Sequence, residues 1–166
     1  MSRFYEALRE LLAQEKSLYA EAVGVSRSKK EAVLNGQVAE LDALVRSEQG
    51  LLVRMQTAER RRMDCVGDYA ARTGRAARDV TLSEMVDSAP AGERVSLAEL
   101  HEELRGLLET LRALGEENRQ LVESRLEYTR FMLSVLTEED GASHTYTSRG
   151  AEHEAPPARG LMDLSV

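Results

Sequence analysis

Apolar residues recur at alternating spacings of three and four along three stretches of the chain, and they predict three helices. In the longest, Leu97, Leu100, Leu104, Leu107, Leu111, Leu114, Asn118, Leu121, Arg125, Tyr128, Met132 and Val135 make one heptad seam across Ser96–Thr137. Leu108, Val122, Leu126, Phe131 and Leu136 widen the seam into a broader apolar face. At about 1.5 Å per residue such a helix runs about 60 Å. No compact core of this chain hides so long a face, so a covering partner is implied.

The first helix is predicted over residues 3–34. Phe4, Leu8, Leu11, Leu18, Ala22 and Val25 share a face, Glu15 is a polar step within it, and Leu12 and Tyr19 broaden it. Asn35-Gly36 supplies the stop, because both residues tolerate the left-handed conformation that ends helices. Lys29 and Lys30 in the C-terminal turns suit the negative end of the helix dipole. The second helix is predicted over 37–73, with Val38, Leu41, Val45, Glu48, Leu52, Met55, Glu59, Arg62, Val66 and Tyr69 as its seam. Leu44, Leu51 and Ala58 flank that seam, and Thr73-Gly74 ends the helix. A short Asn-Gly link between two amphipathic helices implies an antiparallel hairpin.

Residues 75–95 read as a connector. Thr81-x-x-Glu84 caps a short helix over 81–87, Asp87–Gly92 reads as plain linker, and Ser96-x-x-Glu99 is a second capping box that places the third helix start at Ser96. Residues 138–166 break the pattern. Six acids stand there against Arg149 and Arg159, so this stretch carries −4 of the net −7. Its Gly, Ser, Thr and Pro content predicts a mobile, disordered acidic tail, ending in the apolar cluster Leu161–Val166. The expected fold is therefore all-α: an elongated antiparallel helical hairpin plus a long third helix, coiled-coil-like over 1–137, followed by the tail.

Composition narrows the function more than the fold. Aromatics are 4% and charged residues 31%, which suits long helices in a thin bundle better than a globular core. The net charge argues against nucleic-acid binding, and the basic runs Glu59-Arg-Arg-Arg62 and Arg72, Arg75, Arg78 read as solvated helix faces. The single Cys65 excludes an internal disulfide, fits a reducing compartment, and reads as a small buried apolar residue. No signal segment and no 18-residue apolar run is present, so a soluble cytoplasmic protein without stable membrane insertion is expected.

Catalytic chemistry is not expected. His101, His144 and His153 lack the Glu-x-x-His spacing of carboxylate-bundle metal sites, Cys65 has no partner for a metal, and no phosphate-binding glycine loop follows a strand. The chain reads as a binding protein with no cofactor and no metal. The informative polar residues are those inside the seams: Glu15, Glu48, Glu59, Arg62, Asn118 and Arg125. Two readings stand for them. They pair across the bundle and fix its register, or their long side chains snorkel outward at loosely packed positions.

The third helix and its exit read Glu117-Asn118-Arg-Gln-Leu121-Val-Glu-Ser-Arg-Leu126-Glu-Tyr128, then Thr145-Tyr146-Thr-Ser-Arg-Gly150. The second helix adds Glu48-Gln-Gly-Leu51-Leu52 and Glu59-Arg-Arg-Arg62, after the Asn35-Gly36 turn. In their order these motifs resemble the FlgN family of flagellar export chaperones, and Asn35-Gly36 is similar to the family's first turn. The connector 75–95 and the long acidic tail depart from the pattern.

The resemblance implies a cytoplasmic chaperone for hook–filament junction proteins. It would bind the aggregation-prone C-terminal helices of its client, prevent premature assembly and deliver them to the cytoplasmic domain of the export gate. With the dense apolar surface of the helix's C-terminal half, it puts the client-binding region at Leu121, Val122, Leu126, Tyr128, Phe131, Met132, Val135 and Leu136. It also implies Tyr146 as the export-gate docking residue. The rival reading is a self-associating coiled-coil scaffold or adaptor, a homodimer using the same leucines.

Overall fold

The computed structural model describes the backbone of residues 2–142 and the side chains of residues 3–137. The fold is all-α: α1 (Ser2–Leu34), α2 (Val38–Thr73), a 3-10 turn (Ala77–Asp79), α3 (Leu82–Asp87) and α4 (Ala91–Ala142), with no strand among the described residues. The chain divides into two units, Met1–Glu127 and Tyr128–Val166. The first holds α1, α2, α3 and α4 up to Glu127. In the second, the described residues are the remaining turns of α4. Tyr146 and the Leu161–Val166 cluster lie outside the described residues.

Within the first unit α1 is central. α2 returns antiparallel to it: Glu21 meets Arg54 at 3.0 Å and Glu15 meets Arg62 at 3.0 Å, so contacts move down one helix as they move up the other. α4 runs parallel to α1. Arg9 faces Glu93, Lys30 faces Glu117 at 2.8 Å, and Arg125 donates to the carbonyl of Leu34. That last bond satisfies one of the orphan carbonyls at the end of α1 and sets a cation at its negative pole.

Both hairpin helices end on glycine in the left-handed region, at φ +66° for Gly36 and +70° for Gly74. Gln37 N–H reaches the carbonyl of Ala32 at 2.9 Å and Gly36 N–H that of Val33 at 3.2 Å, a Schellman closure. Lys29 and Lys30, expected to serve the helix dipole, lie before the last turn of α1, which holds no basic residue, and form ion pairs with Glu48 and Glu117.

The connector is part of the core. Val80, Met85, Val86 and Ala89 are buried with Tyr5, Leu8, Leu12, Val66, Tyr69, Leu97 and Leu104. Thr81 and Glu84 form both halves of the capping box of α3, and the Thr81 N–H, with Arg75, holds the Glu84 carboxyl below its usual range. Tyr5 Oη donates to the Ser88 carbonyl at 3.1 Å. The expected plain linker at Asp87–Gly92 is therefore corrected, because Ala89 is 1% exposed and Ser88 is held by α1.

The start of α4 is corrected too. It begins at Ala91, five residues before Ser96. Pro90 places its carbonyl to accept from Glu93 and Arg94 at 2.9 Å, and proline, lacking an N–H, loses nothing at a helix start. Ser96 Oγ donates back to the Glu93 carbonyl at 3.2 Å rather than capping. At the far end the helix continues through Glu138–Ala142, residues expected in the tail.

Candidate interaction surface

Two places in the structure offer apolar surface to a partner, one in each unit. The first is a groove walled by α2 and α4 and floored by α1. Leu41, Val45, Leu52 and Met55 line it from α2, Leu111, Gly115 and Val122 from α4, and Ala22 and Ser26 from α1. Its volume is about 680 Å3. The α2 wall is the predicted seam of that helix. In this half of α2 the packing against α1 falls to the flanking positions, with Leu51 and Ala58 buried, while Val45 and Leu52 stay exposed.

A polar layer crosses the groove. Lys29 Nζ and Glu48 Oε2 are 2.7 Å apart. Asn118 Nδ2 donates to the Ser26 carbonyl at 2.9 Å and to Ser26 Oγ at 3.2 Å. Asn118 is buried, and its Oδ1 has no hydrogen-bond partner. On the rim, Arg119 bonds both Glu116 and Glu123, and those partners raise its pKa.

The polar residues singled out in the seams therefore have specific neighbours. Glu15, 5% exposed, takes the Nε–H of Arg62 across the hairpin; burial pushes its carboxyl above the usual range against the opposing pull of Arg62. Glu48 meets Lys29, Glu59 lies 3.9 Å from Arg62, Asn118 bonds Ser26, and Arg125 reaches Leu34. Arg125 reaches a helix-terminal carbonyl of α1. Cys65 is half-buried, and burial pushes its thiol up.

The second place is α4 from Tyr128 onward. Tyr128 is 60% exposed, Phe131 62%, Leu136 55% and Met132 38%, with Val135 half-buried. Tyr128, Phe131, Met132 and Val135 fall on one helix stripe at spacings of three, one and three. The other residues expected to bind client lie in the first unit. Leu121 is half-buried beside Lys30 and Glu117, Val122 stands in the groove wall, and Leu126 is exposed. Sequence reasoning missed the groove; Gly115, a side-chain gap beside a leucine seam, was its signal.

Among the described residues no cluster of His, Cys, Asp and Glu is placed to hold a metal, and no helix is long and apolar enough to cross a membrane. Neither the curated proteins nor the solved structures contain a match to the chain. The family model for FlgN protein matches residues 1–154, nearly the whole sequence and all four helices. With that match joined to an all-α fold carrying open apolar surfaces, the chain belongs to the FlgN family of flagellar export chaperones.

Proposed function

We propose that the chain is a cytoplasmic chaperone of hook–filament junction proteins. It binds their C-terminal helical region, keeps that region from assembling early, and delivers the client to the cytoplasmic domain of the export gate. The observation that carries this reading is the exposed stripe Tyr128, Phe131, Met132, Val135. Contiguous exposed apolar surface marks an interaction site, and an amphipathic client helix buries it by helix-to-helix packing. Apolar burial supplies roughly 25 cal/mol per Å2 before ordering costs, which leaves room for the moderate affinity that release requires. Methionine suits a surface that must accept and lose a partner.

The test is co-purification with the C-terminal segments of the junction proteins from the same genome, scored as a one-to-one complex by size exclusion. Phe131→Glu with Met132→Glu should abolish the complex while helicity persists; survival of the complex puts the site elsewhere. Deletion of 143–166 should spare client binding and impair delivery through Tyr146, whereas loss of client binding would move that segment into the client site. A tight dimer of the free chain at low micromolar protein would favour the self-associating scaffold instead.

A further inference from the structure

The cleft between α2 and α4 is filled at one end and open at the other. At the filled end α3 lies in it. Leu82 stands among Arg62 of α2 and His101, Leu104 and Leu108 of α4, and Met85 and Val86 of α3 are buried in the core. These three apolar residues, at spacings of three and one, are the face of a six-residue helix. Beyond it the cleft continues as the groove. From Leu41 to Met55 its α2 wall is about 21 Å long, and from Leu111 to Val122 its α4 wall is about 17 Å. Among the described residues nothing occupies it. The chain itself thus demonstrates what the cleft accepts, which is an amphipathic helix, and supplies less than two turns of one.

The charges say what kind of helix completes it. Lys29 and Glu48 neutralise each other, and Arg119 is engaged by Glu116 and Glu123. A charged side chain laid over this layer would be desolvated without a counter-ion, and an apolar one would face the buried Asn118 amide and Ser26. The complementary surface is an apolar stripe interrupted once by an uncharged polar residue. A second copy of the chain is a poor occupant. Two such grooves facing one another around a two-fold axis leave both empty, a head-to-tail contact propagates into a filament, and a reciprocal exchange of α4 ends is the one closed arrangement, which the oligomeric mass reports.

We propose that the open end of the cleft takes one amphipathic helix of the flagellar client. That helix is about two heptads long, follows on from α3, and sets an uncharged polar residue of its stripe against Lys29, Glu48 and Asn118. This rests on the client reading above and adds to the α4 stripe a second, separate contact of the same client.

Gly115 gives the test. Gly115 lines the groove and a Cβ there meets no atom within 4 Å, so Gly115→Leu starts its side chain in open space on the groove wall, and it replaces a poor helix former with a good one. The full chain and this variant are titrated with the junction-protein segments by calorimetry, with thermal unfolding recorded on each. Gly115→Leu should melt no earlier than the parent and bind about tenfold more weakly or worse. Leu52→Glu, on the opposite and exposed wall, should do the same. Undiminished affinity in both variants overturns the groove and leaves the proposed function intact. No binding by the parent chain overturns both. A variant that changes the oligomeric mass while keeping client affinity makes a second copy the occupant and overturns the inference.

Discussion

Arg62 of α2 donates its Nε–H to Glu15 of α1 at 3.0 Å, and the Glu15 carboxylate is almost wholly removed from water. The pair is therefore asymmetric in its consequences. Removing the cation leaves a buried charge without compensation, which costs about 3 kcal/mol. Arg62→Ala should lower stability by that order in denaturant titrations at neutral pH, and Glu15→Gln by much less, because the amide still accepts the bond.

The same pair sets a pH dependence. Burial raises the Glu15 carboxyl in the folded chain, so the folded state holds that proton more tightly than the unfolded one. This contribution is complete below the unfolded carboxylate range and is lost as pH rises through the higher folded value. The stability of the parent chain relative to Glu15→Gln should accordingly improve as pH falls from 7 towards 4.5. Parallel stability curves for the two chains across that range would contradict the assignment.

Asn118 ties α4 to α1 through two hydrogen bonds to Ser26, while its Oδ1 is buried without a partner. Asn118→Leu removes that orphan acceptor and, with it, the donor to buried Ser26, two opposed effects that should leave stability changed by less than about 1 kcal/mol. Asn118→Asp retains the shape but sets a carboxylate against the Ser26 carbonyl, at a cost of about 2 kcal/mol or more at neutral pH. Urea midpoints of the two variants should separate in that order.

The helices were legible because α1 and α2 announce themselves by spacing and by glycine stops. What the spacing could not distinguish is a seam that is packed from one that is open. Leu97 and Leu104 are buried, whereas Val45 and Leu52 recur with the same period and are exposed. Period reports which residues share a face, and burial depends on what the rest of the chain sets opposite that face. The start of α4 failed for a related reason. Ser96 and Glu99 satisfy the capping pattern, but Pro90, six residues earlier, begins the helix, and Ser96 then merely bonds its own turn. The short helix of the connector was legible from its Thr81/Glu84 capping box, but its burial was not, because Ala89 and Met85 are too short a signal to declare themselves as core. Tyr5, outside the predicted α1 face, is what holds them.

Tyr5 links α1 to the connector by one hydrogen bond to the Ser88 carbonyl, with its ring buried against Phe4 at 5.2 Å. Tyr5→Phe keeps the ring and deletes the donor, so about 1 kcal/mol of stability should be lost. Amide exchange should quicken at Ala89 and Ser88 before it quickens in the middle of α2, because the connector is the element released.

Glycine to alanine should change sign along this chain. Gly24 lies inside α1 at ordinary helical φ, and a Cβ there meets nothing within 4 Å. Gly24→Ala should therefore raise stability by up to about 1 kcal/mol, the propensity difference between the two residues. Gly36 adopts φ +66° at the tip of the hairpin, in open space but in a conformation that side chains resist. Gly36→Ala should cost about 1 kcal/mol through backbone strain alone. The tip also sets where the α2 wall of the groove begins relative to α1. Strain relieved by unwinding the last turn of α1 would shift Leu41 and Val45, so Gly36→Ala should weaken client binding further than its stability loss predicts. Thermal midpoints moving in opposite directions for the two variants, with a binding loss confined to Gly36→Ala, is the expected outcome. Equal client binding by the two variants would mean that the turn does not constrain the groove.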